Sequence, residues 1–213
     1  MEFLDKKLAE YIAAHTDEEP FLLQELDRET NAKVLMPRMI SGHFQGRVLS
    51  MLSKMIKPSS VLEIGTYTGY SALCLSEGLS DNGKLTTIDI NDELEEMVRK
   101  YFDRSEFGKK IEYLLGNALN IIPTLNSKFD IVFIDADKEN YSAYYDLVFD
   151  KVNEGGYIIA DNVLWSGKVV EDKPKTDKDT QAILDFNKKV QDDARVENVL
   201  FPIRDGLLIA RKK

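Results

Sequence analysis

Four short apolar runs in the sequence each end on an acidic residue, and this pattern limits the fold more than any other feature. The runs are Val61–Glu63, Leu85–Asp89, Ile131–Asp135 and Tyr157–Asp161. A strand that is buried on both faces reads as a continuous apolar stretch, and the carboxyl ends of parallel strands open onto the ligand crevice. The four carboxylates are therefore predicted to line one rim of a sheet. Because crowded carboxylates repel one another, we expect this rim to receive a metal ion or a positively charged cofactor.

Strands and helices alternate from residue 61 onward, as is typical of a doubly wound α/β fold. Five such units are followed by two final apolar runs, Val196–Ile203 and Leu207–Arg211, on either side of Arg204-Asp205-Gly206. Asp-Gly between two such runs is a strong signal for an antiparallel hairpin. The sequence therefore predicts a single α/β domain over residues 1–213, with a seven-stranded, mostly parallel sheet that ends in an antiparallel hairpin.

The first 58 residues predict a helical cap on a core of residues 59–213. Short helices are expected in the first forty residues, and a longer amphipathic helix follows them. That longer helix is predicted to carry one apolar side, formed by Phe44, Val48, Leu52, Met55 and Ile56. The segment Glu171–Thr180 carries charges of both signs and is predicted to be a solvated loop, or a lid beside the rim.

Charge and cysteine content narrow the classes of function. The chain has 213 residues and a net charge of −9, which argues against a nucleic-acid-binding surface and against attraction to anionic membranes. A protein that acts on a small molecule fits this charge better. The single cysteine, Cys74, excludes an internal disulfide, and the first residues lack a signal-peptide pattern, so we expect a cytoplasmic protein.

The strongest local motif is Val61-Leu62-Glu63-Ile64-Gly65-Thr66-Tyr67-Thr68-Gly69-Tyr70-Ser71, which predicts a strand, a glycine-bearing turn and the start of a helix. Gly65 would let a ligand approach the backbone, and Gly69 would permit close helix packing. An ordinary strand-to-helix turn is the alternative. The dinucleotide motif G-x-G-x-x-G is absent, since Tyr67 stands where its second glycine belongs. Asp89 ends the next strand, where an acid can accept ribose hydroxyls.

Glu63-Ile64-Gly65-x-x-x-Gly69-Tyr70-Ser71 resembles the cofactor motif of class I S-adenosylmethionine-dependent methyltransferases, which have a Rossmann-like fold. The sequence is most similar to the cation-dependent O-methyltransferases that include the catechol and caffeoyl-CoA enzymes. The resemblance covers almost the whole chain and rests on three further segments: Phe133-Ile134-Asp135-Ala136-Asp137-Lys138-Glu139-Asn140-Tyr141, Asp161-Asn162-Val163-Leu164-Trp165 and Asp205-Gly206.

The resemblance implies S-adenosylmethionine as cofactor, a divalent cation (Mg²⁺, Mn²⁺ or another) and a homodimer. Asp89 would hold the ribose, Ala118 would lie against the adenine, and Ser41 would approach the amino-acid end. The full set of implied cofactor residues is Ser41, Glu63, Gly65, Thr66, Tyr67, Ser71, Asp89, Ala118 and Asp135. A carboxylate-rich rim favours a sulfonium cation and disfavours a pyrophosphate.

A second set of residues carries metal and proton-transfer chemistry. The resemblance places the metal on Asp135, Asp161 and Asn162, and oxygen ligands of this kind suit magnesium. The alternative is that Asp161-Asn162 serve as turn and capping residues. Lys138 is the candidate general base, since burial and a neighbouring dication disfavour the charged form of a lysine. The alternative interpretation is that Lys138 is an ordinary surface lysine.

The expected reaction is methyl transfer to a hydroxyl of a catechol-like aromatic diol. Tyr141 and Trp165 are candidates for an aromatic wall beside the substrate, and Asp137 matches a family position near it. A caffeoyl-CoA ester is the alternative substrate, although Ser166 departs from the asparagine found there in plant enzymes. A nicotinamide-dependent oxidoreductase and a non-catalytic cofactor-binding protein remain as rival functions.

Overall fold

The computed structural model describes residues 5–171 and 177–213. The helices of this part of the chain are α1 (Lys6–Ala14), α2 (Phe21–Lys33), α3 (Gly42–Ile56), α4 (Tyr70–Ser76), α5 (Glu95–Arg104), α6 (Ala118–Ile121), α7 (Tyr141–Phe149) and α8 (Lys178–Asp192). The strands are β1 (Ser60–Ile64), β2 (Lys84–Asp89), β3 (Ile111–Leu115), β4 (Phe129–Ile134), β5 (Val152–Asp161), β6 (Val196–Phe201) and β7 (Leu207–Lys212). No helix among these residues is long and apolar enough to span a membrane.

The strands have the order β3-β2-β1-β4-β5-β7-β6. β1 pairs in parallel with β2, β2 with β3, and β4 with β5, whereas β7 is antiparallel to both β5 and β6. The register pairs Glu63 with Thr87 in one part of the sheet and Ile134 with Ala160 in the other. This topology confirms the predicted mostly parallel sheet of seven strands with a C-terminal hairpin.

The described residues form two compact units, one ending at Gly116 and the other beginning at Asn117. In the second unit β4 is buried almost completely, because Phe129 and the run Ile131–Ile134 have at most 1% of their surface exposed. In the first unit, Val61 and Leu62 of β1 are likewise completely buried. The single-domain boundaries, with a cap over residues 1–58, stay a prediction.

The predicted apolar side of the longer helix is wrong in detail. The residues of α3 that are buried are Gln45, Gly46, Leu49, Ser50 and Ser53. Met55 is 73% exposed. Small residues are needed on the buried side because α4 packs very close to α3: a Cβ atom on Gly46 would lie 2.6 Å from the ring of Tyr70 and 2.9 Å from the sulfur of Cys74.

The structure corrects one bound of the loop that the sequence predicts before α8. The predicted loop Glu171–Thr180 extends too far, because α8 begins at Lys178, with Asp177 accepting a hydrogen bond from the N–H of Thr180 at its start. Residues 172–176 of that loop, and with them its proposed role as a lid, lie outside the described residues. The single cysteine, Cys74, is completely buried, and burial raises the pKa of its thiol to about 12.

Glu29 of α2 links this helix to α5 through its carboxylate. The carboxylate accepts hydrogen bonds from Lys100 at 2.5 Å, from the hydroxyl of Tyr101 at 2.6 Å and from Lys33 at 2.7 Å. Its side chain is 15% exposed. The hydrogen bond from Lys100, followed by those from Lys33 and Tyr101, lowers the pKa of Glu29 from 4.5 to about 2. The ionised form therefore stabilises the fold.

We expect Glu29→Gln to lower the free energy of unfolding at pH 7 by about 1 kcal/mol. Because the folded pKa lies below the unfolded one, this contribution is complete above pH 4.5 and is lost as the pH falls toward 2. Urea unfolding of the wild type and the variant across this range measures the difference. Glu18→Gln changes an exposed acid instead and serves as the control. A difference that stays constant down to pH 2 would contradict the assignment.

Candidate functional site

The turn that follows β1 holds three residues in the left-handed region of backbone conformation. Gly65 has φ +101°, Tyr67 has φ +48° and Gly69 has φ +90°. The N–H of Gly65 donates to the carbonyl of Ile88 at 2.9 Å, so the turn begins beside the end of β2. Glycine adopts such angles without steric cost and leaves the backbone open to a ligand. The turn therefore has the form that the sequence predicts for cofactor binding.

Gly69 also has the close packing that the sequence predicts. A Cβ atom at this position would lie 2.6 Å from the ring of Phe102 in α5. Gly69 precedes the first residue of α4, so its lack of a side chain allows the start of this helix to approach α5 closely. The close approach explains the second glycine of the motif in structural terms.

Asp89 is fixed at the end of β2 by backbone groups. One carboxylate oxygen accepts the N–H of Tyr67 at 2.7 Å, and the other accepts the N–H of Asn91 at 2.9 Å. Each carboxylate oxygen can accept more than one hydrogen bond. Asp89 is thus held beside the glycine turn with acceptor capacity left for a further donor, such as a ribose hydroxyl.

Glu63 lies in β1 and is completely buried. Its Oε2 accepts a hydrogen bond from the hydroxyl of Thr87 at 2.5 Å, and the hydroxyl of Thr87 lies 2.6 Å from that of Thr66. These contacts connect β1 and β2 to the glycine turn. The other implied cofactor residues Ser41, Ser71 and Ala118 are also buried, with at most 7% of their surface exposed. Their contacts with a cofactor stay predictions.

The second unit brings Asp135 and Asp161 to the same edge of the sheet. The parallel register pairs Ile134 of β4 with Ala160 of β5, so the two acids that follow these residues are neighbours. Asp161 is 2% exposed, and its Oδ1 accepts the N–H of Asn162 at 2.7 Å. Asn162 has φ +59°, a conformation that asparagine tolerates better than most residues. The three predicted metal ligands therefore end adjacent strands, as the sequence indicates.

These residues fit a hard divalent cation by their chemistry. Two carboxylates and one amide provide oxygen donors, which magnesium prefers. Among residues 5–171 and 177–213, no three His, Cys, Asp or Glu side chains are grouped as a metal site, so the predicted set depends on the amide of Asn162. Burial, followed by the charges of Asp135 and Asp161, raises the pKa of Tyr141 well above its ordinary value. A cation at this edge would offset the same negative charge.

Lys138 is buried, with 8% of its surface exposed, so it is not the surface lysine of the alternative interpretation. Its amine donates to the hydroxyl of Tyr141 at 2.5 Å and to Oδ1 of Asp135 at 3.2 Å. The hydroxyl of Tyr141 in turn donates to the backbone carbonyl of Asp161 at 3.0 Å. Tyr141 thus joins the amine to the ends of both strands. This positioning contact is not apparent from the sequence motif.

The three candidate substrate residues have different environments. Tyr141 has no exposed surface, so its ring packs in the core beside Lys138 and is not part of an open wall. Trp165 is half-buried, and the amine of Lys138 lies 6.0 Å from the centre of its ring. Asp137 is exposed and accepts hydrogen bonds from Tyr144, at 2.5 Å, and from the amide of Asn140. Of these three residues, Trp165 is therefore the one that presents a partly exposed aromatic ring near Lys138.

The sequence interpretation missed a short segment in the first unit. The hydroxyl of Tyr67 donates to the backbone carbonyl of Met36 at 2.9 Å. Leu35, Met36 and Met39 of the same segment are exposed. An apolar segment is thus tied to the glycine turn. The run Val34-Leu35-Met36-Pro37 could have signalled it, because exposed apolar residues beside a ligand-binding turn often contact ligand.

Comparison with known proteins identifies relatives over nearly the full length. The family model described as "O-methyltransferase" matches residues 13–213. The caffeoyl-CoA O-methyltransferase of Petroselinum crispum is 36% identical over 206 residues, which cover 91% of this chain and 85% of that protein. The SAH complex of an O-methyltransferase from Bacillus cereus has a TM-score of 0.89 at 27% identity, covering 97% of each chain. The SAH-bound methyltransferase of Podospora anserina has a TM-score of 0.88 at 26% identity and covers 100% of this chain and 98% of its own.

Proposed function

Because the chain belongs to the O-methyltransferase family, we propose that it transfers the methyl group of S-adenosylmethionine to a hydroxyl of an aromatic vicinal diol, with a divalent cation bound by Asp135, Asp161 and Asn162. The observation that carries the proposal is the buried amine of Lys138, held 3.2 Å from Asp135. Membership of the family disfavours the oxidoreductase and the non-catalytic protein.

The glycine turn and Asp89 support the cofactor assignment. Gly65 leaves the backbone open, and the carboxylate of Asp89 is oriented by the N–H groups of Tyr67 and Asn91. The relatives from Bacillus cereus and Podospora anserina were solved with SAH, the demethylated form of this cofactor. When bound, S-adenosylmethionine supplies an electrophilic methyl group on a cationic sulfur.

We expect Gly65→Val and Asp89→Ala each to weaken binding of S-adenosylhomocysteine by about 10- to 100-fold. Valine at φ +101° is strained and blocks approach to the backbone. Loss of Asp89 removes a hydrogen bond to a charged acceptor, worth about 1.5 to 3 kcal/mol. Titration calorimetry measures both effects.

Two control substitutions separate binding from folding. Gly155→Val introduces similar strain at φ +76° in β5, and Asp92→Ala removes an exposed acid just beyond Asp89. Both controls should keep wild-type affinity. If Gly65→Val and Asp89→Ala bind S-adenosylhomocysteine as tightly as the wild type while folded, the cofactor site lies elsewhere.

Lys138 has the geometry of a positioned proton acceptor. A neutral lysine amine has two N–H groups and one lone pair. The two N–H groups can make the hydrogen bonds to Tyr141 and Asp135. The lone pair can then accept the proton of the substrate hydroxyl. A divalent cation bound by the neighbouring acids would supply Lewis-acid stabilisation of the substrate oxygen.

The proposed reaction is balanced in atoms and charge. The O–H bond of the substrate breaks, and its proton passes to the nitrogen of Lys138. The oxygen then forms a bond to the methyl carbon while the carbon–sulfur bond breaks, and the electron pair of that bond stays on sulfur as a neutral thioether. The residues of the chain contribute mainly by holding the two reactants in line at short distance.

The acceptor class is a proposal with two alternatives. A caffeoyl-CoA ester is favoured by the names of the curated relatives, which are about 35% identical. A free catechol is favoured by Ser166, which departs from the plant pattern at a position beside Trp165. An assay with labelled S-adenosylmethionine against catechols and caffeoyl esters tests the function. If the protein methylates none of the vicinal diols in that panel, the diol proposal is wrong.

A homodimer and a cytoplasmic location complete the proposal. The described part of α1 has no buried residue, and Leu8 and Tyr11 on this helix are 48% and 61% exposed. A second copy of the chain that covered such side chains would remove apolar surface from water. Light scattering coupled to size-exclusion chromatography tests the oligomeric state.

A further inference from the structure

The segment that follows β5 has an unusual backbone. Asn162, Trp165 and Ser166 all have positive φ angles, of +59°, +47° and +55°. Non-glycine residues in this region store strain, and such residues cluster at functional sites when the surrounding structure holds them in place. The segment 162–167 contains both a proposed metal ligand and the half-buried tryptophan.

The turn between β6 and β7 provides the support for this segment. The N–H of Ser166 donates to Oδ1 of Asp205 at 2.5 Å, and the N–H of Leu164 donates to the backbone carbonyl of Asp205 at 2.8 Å. The N–H of Val163 donates to the carbonyl of Gly206 at 3.3 Å. Three backbone donors of the segment thus find their acceptors on two residues of the turn.

Gly206 brings the turn into close contact with the segment. It has φ +93°, and a Cβ atom at this position would lie 2.6 Å from Cγ and 3.0 Å from the backbone nitrogen of Leu164. The glycine is therefore required by the contact as well as by the turn. The fit leaves little freedom for the segment to shift against the hairpin.

The side chain of Asp205 does more than a hairpin turn needs. An aspartate in a turn commonly bonds to backbone groups two residues further on in its own turn. Here its Oδ1 instead accepts a backbone N–H from a residue 39 positions earlier in the chain. That residue, Ser166, is adjacent to Trp165 and has the strained conformation described above.

We propose that Asp205 is a positioning residue for the acceptor substrate, acting by holding Trp165 and Asn162 in the geometry that methyl transfer requires. The inference rests on the proposed function, because it assumes that Trp165 faces the acceptor. Asp205 itself takes no part in proton or methyl transfer. Its carboxylate and carbonyl fix the backbone of segment 162–167, and that backbone fixes the two side chains.

Trp165 is the only tryptophan in the chain, so its fluorescence reports on this segment alone. We expect Asp205→Ala to shift the emission to longer wavelength and to increase quenching by acrylamide, because the released segment exposes the indole. The KM for the acceptor should rise roughly tenfold or more, since small displacements of positioning groups are costly. The Kd for S-adenosylhomocysteine should stay within about twofold of the wild type, because the hydrogen bonds that Asp205 accepts come from segment 162–167 and not from the glycine turn.

Two further variants separate positioning from general destabilisation. Asp205→Asn keeps an oxygen acceptor for the N–H of Ser166 and should restore most of the wild-type spectrum and KM. Asp193→Ala removes an aspartate from the turn that precedes β6, where it accepts the N–H of Arg195 at 3.0 Å. This control should lower stability and leave the emission of Trp165 unchanged.

A wild-type emission spectrum or a wild-type acceptor KM in folded Asp205→Ala would overturn the proposal. A failure of the proposed function is distinguishable from this result. If the wild-type protein methylates no diol, the reaction assignment fails, while the fluorescence of the same variants still decides whether Asp205 holds the segment.

Discussion

Replacement of Lys138 by methionine is expected to lower kcat by about 10²- to 10⁴-fold, the usual contribution of a positioned general acid or base. Methionine keeps the apolar bulk of the side chain at a buried position but has no nitrogen to accept the proton. The affinity for S-adenosylhomocysteine should change little, because Lys138 is hydrogen-bonded to one implied cofactor residue, Asp135, whereas the glycine turn and Asp89 keep their own hydrogen bonds. Steady-state kinetics with a vicinal diol and calorimetry with S-adenosylhomocysteine measure the two quantities.

Arginine at position 138 should not restore activity, since its guanidinium cannot be deprotonated in the accessible pH range. Raising the pH should narrow the deficit of Lys138→Met, because the diol then ionises without help from the protein. Lys189→Met is the matched control: Lys189 also contacts an aspartate, Asp146 at 2.6 Å, and a backbone carbonyl, that of Ser142 at 3.2 Å. Near wild-type turnover of both Lys138 variants at neutral pH would show that this residue is not the base.

Removal of divalent cations is expected to abolish methyl transfer, and added magnesium should restore it. Manganese should substitute, because it also prefers oxygen ligands. Asp161→Asn keeps an oxygen that can accept the N–H of Asn162 but loses a charge, so the affinity for the metal should fall by at least about 10²-fold, more than the loss of an outer-shell partner costs. Calorimetry with Mg²⁺ or Mn²⁺ alone measures this affinity.

Asp130→Asn provides the control for metal binding. Asp130 lies near the beginning of β4, at the opposite end of the strand from Asp135, and accepts a hydrogen bond from Asn153 at 2.7 Å. Its substitution should leave the affinity for Mg²⁺ unchanged. Full activity of the wild type in excess chelator would show that Asp135 and Asp161 serve another purpose.

Local patterns in the sequence were sufficient to predict the strands and the glycine turn. Each apolar run that ends on an acid lies in or at the end of a mostly buried strand, because continuous apolar residues over this length suit burial on both faces of a sheet. Gly65 and Gly69 have φ angles of +101° and +90°. Glycine adopts such angles without steric cost, so the residue type itself indicates the turn. Asp205-Gly206 marked the hairpin for the same reason.

The longer helix α3 shows where pattern reasoning fails. Its larger apolar residues predicted one side, whereas the side that is buried carries Gly46, Ser50 and Ser53 together with Leu49. A short distance between two helices requires small residues, and hydropathy alone does not weigh this requirement. The hydroxyl of Ser53 also donates to the carbonyl of Leu75 in α4, so even a polar residue is satisfied in the contact.

The sequence by itself indicated the α/β architecture, because strand periodicity and turn residues are encoded along the chain. The candidate site residues came from the resemblance of its motifs to those of a known family. Only the tertiary structure showed that the buried amine of Lys138 donates to the hydroxyl of Tyr141 and that Asp205 accepts the N–H of Ser166, beside Trp165. The first contact also ties Tyr141 to Asp161, 20 positions away, and the second joins residues 39 positions apart. Contacts of this kind depend on which strands become neighbours, and their hydrogen-bonding partners leave no periodic trace in the sequence.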